Sequence, residues 1–245
     1  MKSELVFHHL SEVDSTNNYA VAKVHEGLAK NGMAWFADNQ MQGKGQRNKE
    51  WISAPGENII LSIVLNKLTA FQPVPFVFNA FIANLCRNFV SQQIGENALI
   101  KWPNDLYVHD KKAGGILIEN IYRGSSWNWS IIGIGINVNQ IHFSENLPNP
   151  TSFKKITSFK YNALELSKML HLYVFESFSS MSEIDSDEII KEYNNNLYKK
   201  NQRVRFRKNN MVFEAMVQSV NHCGELIVFD TIQKSYRFGE IDWLL

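Results

Sequence analysis

Four segments of this sequence combine residue types and spacings suited to holding an anionic ligand. The first, Gln40-Met41-Gln42-Gly43-Lys44-Gly45-Gln46-Arg47-Asn48-Lys49-Glu50-Trp51, is polar, with two glycines and three cations. Glycines let the backbone approach a ligand closely, so successive amides and Lys44 can wrap a phosphate. A solvated basic loop has the same composition. Neither the GxxxxGK(S/T) spacing of a Walker loop nor the GxGxxG of a dinucleotide fingerprint is met, which excludes ordinary ATPase and dehydrogenase chemistry. The second segment, Lys101-Trp102-Pro103-Asn104-Asp105, sets a cation and a carboxylate across a proline that interrupts strand pairing. Such a break turns both side chains towards one pocket, the lysine bracing a phosphate and the aspartate holding Mg²⁺. A surface hairpin with an exposed ion pair is the alternative.

The third segment, Lys111-Lys112-Ala113-Gly114-Gly115-Ile116-Leu117-Ile118-Glu119, sets paired glycines ahead of an apolar strand. A ligand or another backbone can come close there, and a plain β-turn accounts for the pattern equally. In the fourth, Gly133-Ile134-Gly135-Ile136-Asn137-Val138-Asn139, alternate glycines leave one strand face bare while isoleucines cover the other. Either a flat ligand lies on that strip or a bulky neighbour packs into it.

The elements that must hold these segments follow from patterning. Residues 5–9 read as a short strand, and Asp14-Ser15-Thr16 offers N-cap chemistry for a helix carrying Tyr19, Ala22, Val24 and Leu28. A strand over 33–37 precedes the polar stretch 38–50. Asn58 to Leu65 is apolar and β-branched, which predicts a buried strand; Pro73 and Pro75 then open a helix reaching about Gln93. From Leu99 to Asn139, short strands with turns at Lys111-Lys112 and Gly124-Ser125-Ser126 predict a mostly antiparallel meander. Asn162 and Glu165 cap a helix whose apolar face is Leu166, Met169, Leu170, Tyr173, Val174 and Phe178, and a second helix spans Asp185 to Tyr198. Past Asn201, four or five short strands, with turns at Asn209-Asn210 and Cys223-Gly224, suit a small β-barrel. The expected class is α+β, a mixed, mostly antiparallel sheet flanked by helices, with a boundary near residue 198.

Composition narrows the function further. The 245 residues allow one main domain with a small appendage, and 44% hydrophobic with 12% aromatic content matches a folded globular protein. Lys+Arg 25 against Asp+Glu 24 gives a net charge of +1, so any anion site is local and no global field recruits nucleic acid. The opening residues lack the apolar core of a signal peptide, and no stretch approaches the roughly 20 apolar residues that span a bilayer. A cytoplasmic address without membrane partners is expected. Cys86 and Cys223 form no CxxC pair and are expected as buried small hydrophobes, and the seven histidines lack the ligand spacing of zinc sites.

In this order, DSTN at 14–17, Gly-Lys-Gly at 43–45, KWPND at 101–105, GGILIE at 114–119 and GIGINVN at 133–139 resemble the catalytic domain of biotin–protein ligases. The likeness covers almost the whole chain. It implies a class II aminoacyl-tRNA-synthetase-like ligase core over 1–198 and an SH3-like β-barrel over 199–245. The implied reaction joins biotin and ATP, with Mg²⁺, into biotinyl-5′-AMP and transfers biotin to a lysine of a biotin carboxyl carrier protein. The resemblance assigns biotin to Ser15, Thr16, Asn17, Gln40, Gly43, Lys44, Gly45, Trp51, Lys101 and Gly115. It assigns ATP or the adenylate to Lys44, Arg47, Asn104, Lys112 and Asn137, the metal to Asp105, and catalysis to Lys101 and Lys44.

The family loop often reads Gly-Arg-Gly-Arg-x-Gly-Arg, whereas Lys44, Gln46, Asn48 and Lys49 stand here. Lys44 keeps the charge without the planar fork of arginine, and Gln46 loses it. The loop from Gln42 to Lys49, with no aliphatic anchor, is expected to order when ligands bind. Family members that repress transcription carry a helix-turn-helix domain first; with DSTN at residue 14, neither that domain nor DNA as a partner is expected. A monomer or a homodimer is expected, the latter by pairing of the GIGINVN strand. A lipoate– or octanoate–protein ligase shares the acyl-to-lysine logic but favours a longer apolar tunnel. A nucleic-acid-binding module, motivated by the basic loop and the small barrel, is the reading from another class.

Overall fold

Apolar, β-branched runs build a seven-stranded sheet in the computed structural model, which describes residues 5–66, 68, 71, 74–181 and 183–244 and, of Asn48, the backbone. The strands are β1 (Phe7–Val13), β2 (Ala34–Gln40), β3 (Asn58–Asn66), β4 (Leu99–Lys101), β5 (Asp105–Val108), β6 (Lys111–Arg123) and β7 (Ser126–Asn137). Their spatial order is β1-β2-β3-β7-β6-β5-β4. β1 and β2 pair in parallel, joined by helix α1 (Thr16–His25), and the other strand pairs are antiparallel.

β3 is buried along all but its last residue because helices cover both faces of the sheet. On one face α1 packs with Trp35, Val64 and Ile131. On the other, α2 (Pro75–Ile94) and α4 (Ala163–Ser179) share a larger cluster with Phe36, Leu61 and Ile63. Pro75 starts α2, and Gly95, left-handed at φ 69, ends it; Pro73 lies outside the described residues, as do residues 1–4 of the opening stretch. Short α3 (Phe153–Thr157) and α5 (Ser186–Asn195) complete the helices. No helix among the described residues is long and apolar enough to cross a membrane.

A second sheet, antiparallel, holds β8 (Arg203–Lys208), β9 (Met211–Val220), β10 (Leu226–Phe229), β11 (Gln233–Tyr236) and β12 (Asp242–Leu244) in the order β11-β10-β9-β8-β12. Alternation on β8 sends Val204 and Phe206 inward and the intervening arginines outward. Polar clasps fasten it to the β4–β5 connection and to α5. Trp102 Nε1 donates to Gly224 O at 2.9 Å, and Asn194 exchanges two bonds with the Val220 backbone.

Several elements depart from expectation for local reasons. β1 runs on to Val13 and β2 to Gln40, because each is the other's ladder partner over that length. α1 ends at His25, before Gly27 at φ 72, which leaves Leu28 exposed at 59%. The β5–β6 turn falls on His109-Asp110 rather than Lys111-Lys112; both carry positive φ, the conformation that matches strand twist in tight hairpins. The buried stripe of α4 runs Leu166, Ser167, Leu170, His171 and Val174, and Met169, a step around the helix from Leu170, is 50% exposed. α5 stops at Asn195 because the next residues turn to pair with β4, Tyr198 N donating to Ile100 O. Cys86 is buried but Cys223, in the β9–β10 turn, is exposed. β7 lies between β3 and β6 with no free edge, so GIGINVN has no open ladder to offer a second copy.

His171 supplies a pH test of this packing. It is 2% exposed, its Nε2 sits 2.6 Å from Gly32 O, and burial pushes its pKa below the ordinary 6.5. Between the two values the unfolded chain binds more protons than the folded one, so stability falls as pH drops below 6.5. Melting temperature should fall between about pH 7.5 and about pH 5, and His171→Gln should flatten that slope. Equal slopes in both proteins would remove His171 as the cause.

Candidate functional site

Every site residue singled out in the sequence except Gly43 lines one cavity of about 580 Å³. Its floor is β6 and β7, at Gly115, Leu117, Gly133 and Gly135; its walls are the start of α1, the loop over 44–52, the β4–β5 hairpin, residues 143–150 and strand β12.

One end is a chain of committed hydrogen bonds. Ser15 caps α1 by accepting from Asn18 N, which turns Ser15, Thr16 and Asn17 inward, each at most 3% exposed. Gln40 Oε1 accepts from Thr16 N at 2.8 Å and from Thr16 Oγ1 at 3.2 Å. Ser62 Oγ lies 2.8 Å from Thr16 Oγ1 and 2.6 Å from Asn17 Oδ1, and Asn17 Nδ2 donates to Glu119 Oε2 at 2.7 Å. A carboxylate only accepts, so Glu119 fixes the Asn17 amide, Ser62 donates to Asn17, and Gln40 keeps its amide N–H groups for a ligand. Ser62 and Glu119 are additions to the residues singled out above. A legible signal did exist for Ser62, the hydroxyl that interrupts the apolar run of β3.

The other end is cationic. Lys101 stands directly opposite Asp105 in the β4–β5 hairpin, yet the two do not form an exposed pair. Asp105 Oδ1 pairs instead with Lys112 Nζ at 2.6 Å, and the Lys101 ammonium lies 5.4 Å from the Tyr107 ring centroid and 5.5 Å from that of Trp243. Burial pushes the Lys101 pKa below the ordinary lysine value; Asp105 draws it partly back, while Lys112 and Lys49 depress it further. Among the described residues no three His, Cys, Asp or Glu side chains gather around a common point. Asp105 therefore fits a cation that arrives with oxygens of its own, as Mg²⁺ on a nucleotide does.

Asn104 and Asn137 face the cavity while bracing its frame. Asn104 Nδ2 donates to Ile116 O and its own carbonyl accepts from Ile116 N at 3.1 Å; Asn137 Nδ2 donates to Thr151 O at 2.9 Å. The loop is a tight hairpin, with Gly45 N bonded to Lys49 O at 2.6 Å and Trp51 N to Gly43 O at 2.8 Å. Gly43 stands behind the wall, where a Cβ would strike Trp51 O and Gln40 Nε2. Arg47, at φ 55, reaches across to the second sheet, 5.9 Å over the Phe238 ring and 3.8 Å from Asp242. The loop thus has anchors that its composition does not reveal. On the bare strip of β7, the Asn17 amide covers Gly133 and the Trp51 indole covers Gly135, so bulky neighbours fill it.

Residues 10–137 match the biotin/lipoate A/B protein ligase family. The chain is 31% identical to the bifunctional ligase/repressor BirA of Escherichia coli over 141 residues, 57% of this chain and 43% of BirA. It is 33% identical to the biotin–[acetyl-CoA-carboxylase] ligase of Paracoccus denitrificans over 131 residues, 53% of each. The matches thus span about half or less of these relatives. Among solved structures, the biotin protein ligase from Aquifex aeolicus in complex with biotin and ATP has a TM-score of 0.77 at 23% identity, over 98% of both chains. At that identity the likeness is one of fold. The chain belongs to the biotin/lipoate A/B protein ligase family.

Proposed function

We propose that this protein is an ATP-dependent biotin–protein ligase, forming biotinyl-5′-AMP and passing biotin to a lysine of a biotin carboxyl carrier protein. The observation that carries the reading is one cavity with a buried donor–acceptor chain at Thr16, Asn17, Gln40 and Ser62 and with Lys44, Lys101 and Lys112 at the other end. A ureido ring offers both N–H and C=O to such a chain. The apolar head of lipoate would leave the amide N–H groups of Gln40 without an acceptor, at about 1–3 kcal/mol, which favours biotin. The division at residue 198, an SH3-like closure of the second sheet and a cytoplasmic address belong to the same reading.

In the first step a biotin carboxylate oxygen attacks the α-phosphorus, the bond to the bridging oxygen breaks, and pyrophosphate leaves. Two approaching unit charges about 4 Å apart repel by about 4 kcal/mol at an effective dielectric near 20, so the cations must be in place beforehand. Lys101, desolvated between two rings, gains most from an arriving anion, and Lys44 and the loop amides hold the phosphates. Asp105 would hold Mg²⁺ brought in with ATP, which would supply further neutralisation there, and Lys112, released from that carboxylate, would turn to phosphate. In the second step the acceptor amine attacks the acyl carbon, the C–O bond to phosphate breaks, AMP departs, and the amine proton passes to solvent. No histidine lines the cavity among the described residues, and AMP needs little help in leaving.

Incubation with ATP, Mg²⁺ and either biotin or lipoate, followed by mass spectrometry, tests reaction and substrate together. The biotinyl adenylate is the expected product. A lipoyl adenylate in its place would move the assignment to the lipoate branch, and no adenylate at all would remove it.

A further inference from the structure

Strand β8 carries Arg203, Arg205 and Arg207 at alternate positions on its exposed face, so successive guanidinium stems stand about 7 Å apart. Arg207, at one end of the row, lines the cavity and lies 3.6 Å from Asp242. Arg203 and Arg205 make no ion pair among the described residues, although Glu214 stands opposite Arg205 on β9. Directly opposite Arg207 at the start of β9, Val212 shares this face and is exposed at 56%. The row therefore leads away from the mouth of the cavity and has an apolar contact at its near end.

We infer that this face is the docking surface for the acceptor protein, and that the acceptor is acidic around its target lysine. The inference rests on the ligase reading above. A lysine stem is four carbons long, so an acceptor that delivers its amine to the cavity must seat its own surface on the rim. That rim already carries Lys44, Arg47, Lys49 and Arg207. An acceptor bringing a further cation is repelled unless carboxylates flank it, and the arginine row is where they find partners. The exposed Val212 on that face offers nothing to phosphate, which favours a protein over a nucleic acid.

Charge reversal at the two arginines away from the cavity, Arg203→Glu/Arg205→Glu, tests the docking. Two acceptors are compared: a biotin carboxyl carrier domain, and hydroxylamine, whose nitrogen attacks the acyl carbon, expels AMP and loses a proton to give a hydroxamate. KM for the carrier domain should rise about tenfold or more, while hydroxamate formation stays within about twofold, because a small nucleophile needs no docking. A carrier KM within about twofold of the unaltered protein overturns the inference. If the variant melts early and makes no hydroxamate, Arg203→Gln/Arg205→Gln and the salt dependence of the unaltered protein carry the test, and a carrier KM indifferent to salt overturns it. Anisotropy with a short DNA duplex gives the other arm: duplex binding lost in the variant with carrier KM unchanged assigns the row to nucleic acid and overturns docking. No hydroxamate from the unaltered protein removes the ligase reading and this inference with it, an outcome distinct from normal hydroxamate with unchanged KM.

Discussion

Lys101→Gln is expected to cut biotin-dependent pyrophosphate exchange by about 10²–10³, equivalent to about 3–4 kcal/mol of transition-state stabilisation. Glutamine keeps hydrogen bonding and all but one atom of the reach, but removes the charge that faces two anions. The same substitution should raise the melting temperature near pH 7, opposite in sign to its effect on activity. Burial holds the Lys101 pKa below its ordinary 10.5, so between the two values the unfolded chain binds more protons and stability rises with pH. Below the folded-state value the penalty is present in full, and glutamine escapes it. Activity in the unaltered protein should decline as pH rises through the depressed value, when the amine loses its charge. Unchanged exchange in the variant would make Lys101 an ordinary rim residue, and a lower melting temperature would remove the desolvation argument.

Local chemistry was the legible part of this molecule. Ser15 at a helix start, the β-branched run of β3 and Pro75 ahead of an apolar helix each fix their element through neighbours in sequence, and they fall where patterning puts them. The cavity is legible by another route: the resemblance of DSTN, KWPND and GGILIE to one family assigns them a common ligand, and residues of all three line one cavity. Contacts made across long sequence separations left no such trace. Arg47 reaching Asp242 and Trp243 standing over the Lys101 ammonium depend on how two sheets meet, whereas Asp105 takes Lys112 rather than Lys101 through the neighbouring β5–β6 pairing. Glu119 carries no mark of its role either, because an exposed-looking carboxylate at the end of GGILIE becomes an anchor only once α1 delivers Asn17 to it. The error at Met169 is smaller in kind, a choice between neighbouring flanks of one helix that only packing decides.

Gly135→Val is expected to weaken biotin binding about 100-fold, or about 2.7 kcal/mol, while leaving the sheet intact. A Cβ at Gly135 would approach Trp51 Cε2 at 2.5 Å, Cζ2 at 2.7 Å and Cδ2 at 3.0 Å, closer than van der Waals contact allows. Those atoms belong to a ring whose backbone is tied down by the bond from Trp51 N to Gly43 O, so the indole must rotate out of its seat. With it goes part of the apolar wall, and the loop that carries Lys44 loses its support against β7. The strand itself should not suffer, since valine is a better strand residue than glycine and Gly135 lies in the paired interior of β7. Binding loss with unchanged or raised melting temperature therefore separates displacement of Trp51 from damage to the fold. A double-mutant cycle with Trp51→Ala assigns the effect. If the clash is with the indole, adding Gly135→Val to Trp51→Ala should cost less than about threefold in biotin affinity measured by calorimetry, because the obstructed ring is already gone. If the full 100-fold loss persists without the ring, valine obstructs the ligand directly, and the strip at Gly135 is a ligand surface rather than a seat for Trp51.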